Sequence, residues 1–343
     1  MYPNFLVIGA QKAGTTWLYR NLRVHPQVWM PKEKELHYFD EKIRLEGGIW
    51  SRLRGDRAAD VRWRRQLRSR FKRFPNESSV KDLGWHLRYF FKTPNDAWYA
   101  SLFEQGNGKI TGETTPDYSI LDLDTIAHVH ELMPDAKIVF MMRSPIERPW
   151  SVVDMSLRVG GRSLEEISDE DLCRESDNKR TRLMTDYLRT LENWGSFYPQ
   201  EQIFVGFLED VHFYPNRLLH RLYSFLGAST NVEYKVIRRR IHSGFQETMP
   251  LRLATHQART YRDDLERLED RFGGYASFWR YCAQRLIEDP PQGDKKIAYP
   301  LWESLLWEEW VSSRPEGEAA PGTPEAEPQS GPLSSVQRSL SGE

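Results

Sequence analysis

The stretch Gly9-Ala-Gln-Lys-Ala-Gly-Thr-Thr-Trp17 constrains this chain more than any other. Residues 4–8 before it, Asn-Phe-Leu-Val-Ile, read as a short buried strand. From Gly14 to about His25 the sequence reads as an amphipathic helix with Trp17, Leu18 and Leu22 on its apolar side. A glycine-bearing turn between a strand and a helix presents free backbone N–H groups at the helix N-terminus, a ready site for an anion. The spacing approaches the Walker A loop, but Thr15 stands where that loop carries its lysine. The loop's one lysine is Lys12, three residues earlier. Phosphate-like groups fit here; the loop of an ATPase or GTPase does not.

Further strands follow in alternation with helices, which predicts an α/β fold with a parallel central sheet flanked by helices. Residues 27–30, 109–112, 137–142 and 202–207 read as strands, with 137–142 as the central one because its apolar run is nearly unbroken. Helices are expected over 124–133, 182–197, 216–226, 253–272 and 275–287. A short aromatic helix over 301–311 should turn Trp302, Leu305, Leu306 and Trp310 toward the body. Residues 45–95 read as an irregular insertion containing one basic amphipathic helix. From Arg52 to Arg73 there are ten Lys/Arg against two Asp, with Trp63, Leu67 and Phe71 recurring every four residues. The expected domain is 1–312; from residue 313 the composition turns to Pro, Glu, Gly and Ser, which predicts a disordered tail.

Four motifs, taken in order, resemble the sulfotransferases that use 3′-phosphoadenosine 5′-phosphosulfate (PAPS), in their carbohydrate, heparan-sulfate-like branch. They are Gln11-Lys-Ala-Gly-Thr-Thr-Trp-Leu18, Glu35-Leu-His-Tyr-Phe-Asp40, Gly112-Glu-Thr-Thr-Pro-Asp-Tyr118 and Arg143-Ser-Pro-Ile-Glu-Arg-Pro-Trp-Ser151. The resemblance covers most of residues 4–290 and implies a P-loop NTPase-like sulfotransferase fold. It also implies PAPS as donor, 3′-phosphoadenosine 5′-phosphate (PAP) as product, and a carbohydrate or small-molecule hydroxyl, less readily an amine, as acceptor.

Sulfuryl transfer needs a cradle for the 5′-phosphosulfate, a cation on the leaving phosphate oxygen, recognition of the 3′-phosphate and a base for the acceptor proton. The amides of Ala13, Gly14, Thr15 and Thr16, with the Thr15 and Thr16 hydroxyls and the adjoining Trp17, suit the first task and Lys12 the second. Arg143 and Ser151, which bracket a strand end and the second turn of a helix, suit the third; the resemblance gives them that ligand. Arg148 reads as a structural arginine. Glu35 stands where the heparan-type branch carries its catalytic glutamate, and His37 is the rival base. Thr114 stands where several members of that branch carry a lysine, which removes a cation from the acceptor side. Tyr118 either lines the acceptor pocket or supports its loop. The basic run Arg238–Gly244, with Arg240 and His242, is the candidate loop over the 3′-phosphate. No metal-ligand spacing is present in the sequence.

A net charge of −1 gives no global field for nucleic acid. The basic run 52–73 could still meet an anionic acceptor or a membrane surface. Cys173 and Cys282 read as free thiols of a reducing compartment. With no signal sequence or spanning segment, the expected location is the cytoplasm, unless an anchor is missing from this chain. Two rival readings are a P-loop kinase and a non-catalytic module that attaches to an anionic polymer or membrane. The kinase needs a lysine at position 15 and a magnesium-binding acid where Arg143 stands.

Overall fold

The computed structural model describes residues 1–40, 49–77, 80–232, 236–237, 247–291 and 295–314. Its core is a five-stranded parallel sheet in the order β2-β3-β1-β4-β5. The first strand, β1 (Phe5–Gly9), is buried along its whole length. It leads through the glycine loop into α1 (Thr15–Val24) and then β2 (Val28–Trp29). After an insertion built of α2 (Ile49–Arg54), α3 (Ala58–Glu77) and α4 (Val80–Phe91), α5 (Asp96–Ser101) returns the chain to β3 (Ile110–Thr114). Next come α6 (Leu123–Leu132), β4 (Lys137–Met142), α7 (Glu147–Gly160), α8 (Asp169–Ser176), α9 (Lys179–Thr185) and α10 (Tyr187–Gly195). The edge strand β5 (Ile203–Phe207) is followed by α11 (Leu208–Phe213) and α12 (Pro215–Leu226). A two-stranded antiparallel ribbon of β6 (Thr248–Pro250) and β7 (Lys296–Ala298) brackets α13 (Leu251–Thr260), α14 (Arg262–Phe272) and α15 (Tyr275–Glu288). The described chain closes with α16 (Leu305–Ser312).

Strands β1 and β4 are apolar at nearly every position because helices cover both faces of the sheet. Phe5 lies opposite Gly112 on β3 and Lys137 on β4. A Cβ on Gly112 would come within 2.2 Å of the Phe5 ring, so that ring fills the space a side chain would need. The connections from β1 run first to the β3 side and later to the β4 side. The carboxyl end of β1 is therefore a topological switch point, where ligands of open α/β sheets sit.

Several expectations are corrected. The insertion is three helices rather than an irregular segment with one. Trp63 and Leu67 do face inward, but Arg52, expected on the basic surface, is buried; the side chain of Phe71 lies outside the description. The helix expected over 182–197 is broken at Asp186, whose side chain accepts from the amide of Arg189 and caps α10. The helix expected over 253–272 is likewise split at Tyr261. Leu305 points outward, 71% exposed, while Trp302, Leu306 and Trp310 are buried. The ribbon of β6 and β7 was not foreseen. The tail expected from residue 313 lies outside the described residues from 315 onward.

Candidate active site

Gly14 is the N-cap of α1. Its φ of 85° favours glycine, and no side chain caps the helix there. The first-turn amides of such a helix have no intrahelical acceptor, so Gly14, Thr15 and Thr16 present donors at the end of β1. The amide of Ala13 donates to the Ala10 carbonyl at 3.2 Å. The Trp17 side chain is committed elsewhere: its indole N–H donates to the Ile237 carbonyl at 2.5 Å and the ring is buried.

Lys12, Glu35 and His37 are the three non-glycine residues with positive φ among the described residues, at 69°, 67° and 54°. A left-handed conformation at a residue with a Cβ costs on the order of 1–3 kcal/mol and persists where the surroundings over-determine it, characteristically at functional sites. These are the same three residues that sequence reasoning selected for catalysis.

The Lys12 ammonium is 3.8 Å from the Met155 sulfur on α7. Burial lowers its pKa to about 8, with help from the charges of Arg143 and Arg158, against an opposing pull from Asp154. Lys12 sits in the loop that joins β1 to α1.

Arg143 directly follows β4 and is buried. Its Nη1 donates to the Lys12 carbonyl at 3.4 Å, and its Nη2 to the Tyr299 hydroxyl at 2.6 Å. Glu147, the first residue of α7, lies 3.6 Å from Nη2. Burial opposes its charge, but Tyr299 and Glu147 outweigh that and keep it cationic. Ser151, buried on α7, hydrogen-bonds the same phenol. Arg143 and Ser151 are thus brought together as expected, with Tyr299 between them. The Arg143 Nε is buried and has no partner among the described residues. Tyr299 was missed by the sequence reading. It follows a three-residue strand 156 positions from Arg143, and its one local hint is the Tyr-Pro step after the basic pair Lys295-Lys296. Arg240 and His242, proposed for this role, lie outside the described residues. Arg148 is fully buried and donates to the Thr185 hydroxyl and the Thr181 carbonyl.

The second half of the site follows β2. The amide of Glu35 donates to the Thr114 carbonyl at 3.0 Å, which pins the loop to the carboxyl end of β3. The Glu35 carboxylate is bonded to Lys34 and lies 3.7 Å from His37 Nε2. Burial would raise its pKa, but the His37 and Lys34 contacts win and hold it near about 2. His37 is buried, with Nδ1 2.7 Å from Asp40 and 4.0 Å from Asp117. Asp117 in turn pairs with Arg180 of α9. His37, Asp40 and Asp117 offer ligand atoms within 4.8 Å of one another.

Glu113 lies beneath, fully buried, and accepts from the hydroxyls of Tyr99, Thr115 and Tyr118. Burial raises its pKa to about 7 despite those bonds. Tyr118 also accepts from the Tyr38 amide at 3.1 Å, so it supports the loop. The Thr114 side chain is buried, and its hydroxyl has no partner among the described residues.

The sequence pattern described as the Sulfotransferase family matches residues 3–231, and the chain belongs to that family of enzymes. A membrane-associated sulfotransferase, kil1, of Dictyostelium discoideum is 27% identical over 156 residues, covering 46% of this chain and 23% of that protein. The bifunctional heparan sulfate N-deacetylase/N-sulfotransferase of Drosophila melanogaster is 25% identical over 244 residues, covering 68% of this chain and 20% of that protein. Human carbohydrate sulfotransferase 15 is 26% identical over 159 residues, covering 43% of this chain and 26% of that protein. The chain thus spans about a quarter or less of the length of these relatives. Among solved structures, a sulfotransferase from Alicyclobacillus acidocaldarius shares the fold, with a TM-score of 0.55 and 23% identity over 82% of this chain and 99% of that one. Family membership replaces the kinase and non-catalytic readings. Among the described residues no helix is long and apolar enough to cross a membrane.

Proposed function

We propose that this protein transfers a sulfuryl group from PAPS to a hydroxyl, less readily an amine, of a carbohydrate or small metabolite. The observation that carries this reading is the buried Arg143 at the end of β4. It joins the Lys12 loop on one side to Tyr299 and Ser151 on the other. A nucleotide kinase of this layout needs a magnesium-binding acid there; an arginine serves a second phosphate. The orphaned Arg143 Nε and the uncapped start of α1 fit a donor with phosphate at both ends.

When bound, the donor supplies the sulfuryl group and the phosphate that leaves it. The amides of Gly14, Thr15 and Thr16 hold the 5′ end. Lys12 stabilises charge on the leaving oxygen, and Arg143, Ser151 and Tyr299 select the 3′-phosphate. Glu35 takes the acceptor proton at its carboxylate oxygen, with Lys34 and His37 orienting it and Asp40 holding the imidazole. Metal is not required, because lysine and backbone donors neutralise the charge. A carbohydrate acceptor is supported by relatives named as carbohydrate and heparan sulfate sulfotransferases. With Thr114 in place of a lysine, the acceptor need not be heparan-like.

The test is incubation with PAPS and a panel of sugars and hydroxylated metabolites in EDTA, with PAP release and a sulfated product as readouts. Acceptor-dependent PAP release is expected. Transfer from ATP with a strict magnesium requirement would overturn the proposal.

A further inference from the structure

The insertion between β2 and β3 sorts its charges by direction. On α3, Trp63 and Asp60 are buried and Leu67 is partly buried, and they share one face. Trp63 packs edge-on against Phe90 of α4, with ring centroids 6.2 Å apart. Three arginines are used internally: Arg52 is buried, Arg57 pairs with the buried Asp60 at 3.5 Å, and Arg64 donates to the Arg52 and Gly55 carbonyls, closing the end of α2. An adjoining face carries Val61, Arg65, Arg68 and Lys72, all exposed and spaced at helical intervals. Arg54 and Leu53 extend it from the end of α2, and Asp56 is the exposed acid among them. Val61 is 48% and Leu53 42% exposed, so the cationic face carries two large apolar side chains in its midst.

We propose that this face of α2 and α3 docks the protein onto an anionic phospholipid membrane. Clustered Lys and Arg on an amphipathic helix are attracted by the negative surface potential of acidic lipids. Exposed apolar side chains between them gain by entering the headgroup boundary. An acidic polysaccharide uses the same cations but gives Val61 and Leu53 nothing to enter, which is why a lipid surface is favoured. The contact is peripheral, and it stands or falls independently of the sulfuryl-transfer reading.

The experiment is co-sedimentation of the full chain with phosphatidylcholine vesicles, with and without phosphatidylserine, alongside binding to heparin in solution. Binding is expected to the phosphatidylserine vesicles alone and to weaken as salt rises. Each exposed cation contributes about fivefold, so Arg65→Glu, Arg68→Glu and Lys72→Glu together should weaken binding by at least about a hundredfold. Val61→Asp should weaken it with every cation kept. Arg262→Glu with Arg267→Glu, a charge change of the same sign on α14, should not. Circular dichroism checks folding; if the triple variant is unfolded, Arg65→Gln with Arg68→Gln should still cost at least about tenfold. Equal binding to both vesicle types, or no loss in the folded variants, would overturn the proposal. So would heparin binding without vesicle binding, which would assign the face to an acidic polysaccharide.

Discussion

The Tyr299 hydroxyl accepts a hydrogen bond from Arg143 Nη2 at 2.6 Å, and the Arg143 guanidinium lies over the Tyr299 ring, 5.0 Å from its centroid. Ser151 reaches the same hydroxyl. Three polar groups from β4, α7 and the segment after β7 therefore converge on one point at the carboxyl edge of the sheet.

If that point receives the 3′-phosphate, Arg143→Ala should weaken PAP binding by about 10–150-fold while costing AMP much less, because a hydrogen bond to a charged group contributes about 1.5–3 kcal/mol. Tyr299→Phe removes a neutral hydroxyl and should cost about 2–10-fold, again for PAP and not for AMP. Calorimetric titration of both ligands into both variants measures this. Equal losses for PAP and AMP would remove the assignment.

Lys12 should impose an alkaline limb on donor capture. Its ammonium form is the useful one, and in the free protein that form declines as pH rises through about 8. The kcat/KM for PAPS should fall above that value, and Lys12→Arg, cationic at every working pH, should flatten the fall. An unchanged limb in the variant would show that another group titrates.

Glu35 is ionised at every working pH because its pKa is held near about 2, so it should give no acid limb near neutrality. Glu35→Gln should leave PAP affinity within a few-fold and reduce kcat by about 10²–10⁴-fold. His37→Ala should cost less. The reverse ranking, measured with the best acceptor of the panel, would make His37 the base.

Glu113 links the site to stability. Its folded pKa, about 7, lies above the ordinary carboxylate value of 4.5. The native state therefore holds a proton that the unfolded chain has released, and stability from this group declines as pH rises between those values. Glu113→Gln should shrink the stability difference between pH ~5 and pH ~8 by about 1–3 kcal/mol, read from urea unfolding. A wild-type slope in the variant would assign the pH dependence elsewhere.

The sheet and the loop were legible because their signals are local. A nearly unbroken apolar run such as residues 137–142 fits a strand covered on both faces, and Gly9 and Gly14 mark the turn between β1 and α1. The insertion was only partly legible: its basic helix with Trp63 and Leu67 is α3, whereas α2 is a single short helix and α4 packs on Trp63 through Phe90, a partner distant in sequence. The same holds for Tyr299, which a distant strand delivers to Arg143, and for Tyr118, whose supporting role depends on its bonds to Glu113 and Tyr38. Nothing in a single sequence forecasts left-handed backbone at Lys12, Glu35 and His37; tertiary contacts impose it.

The most direct test of the donor assignment is competitive calorimetry of PAP, ATP and AMP in EDTA, repeated with magnesium. The prediction is that PAP binds at least about tenfold more tightly than AMP or ATP, with no help from magnesium, because its second phosphate engages a charged arginine. Tighter binding of magnesium–ATP than of PAP would contradict it.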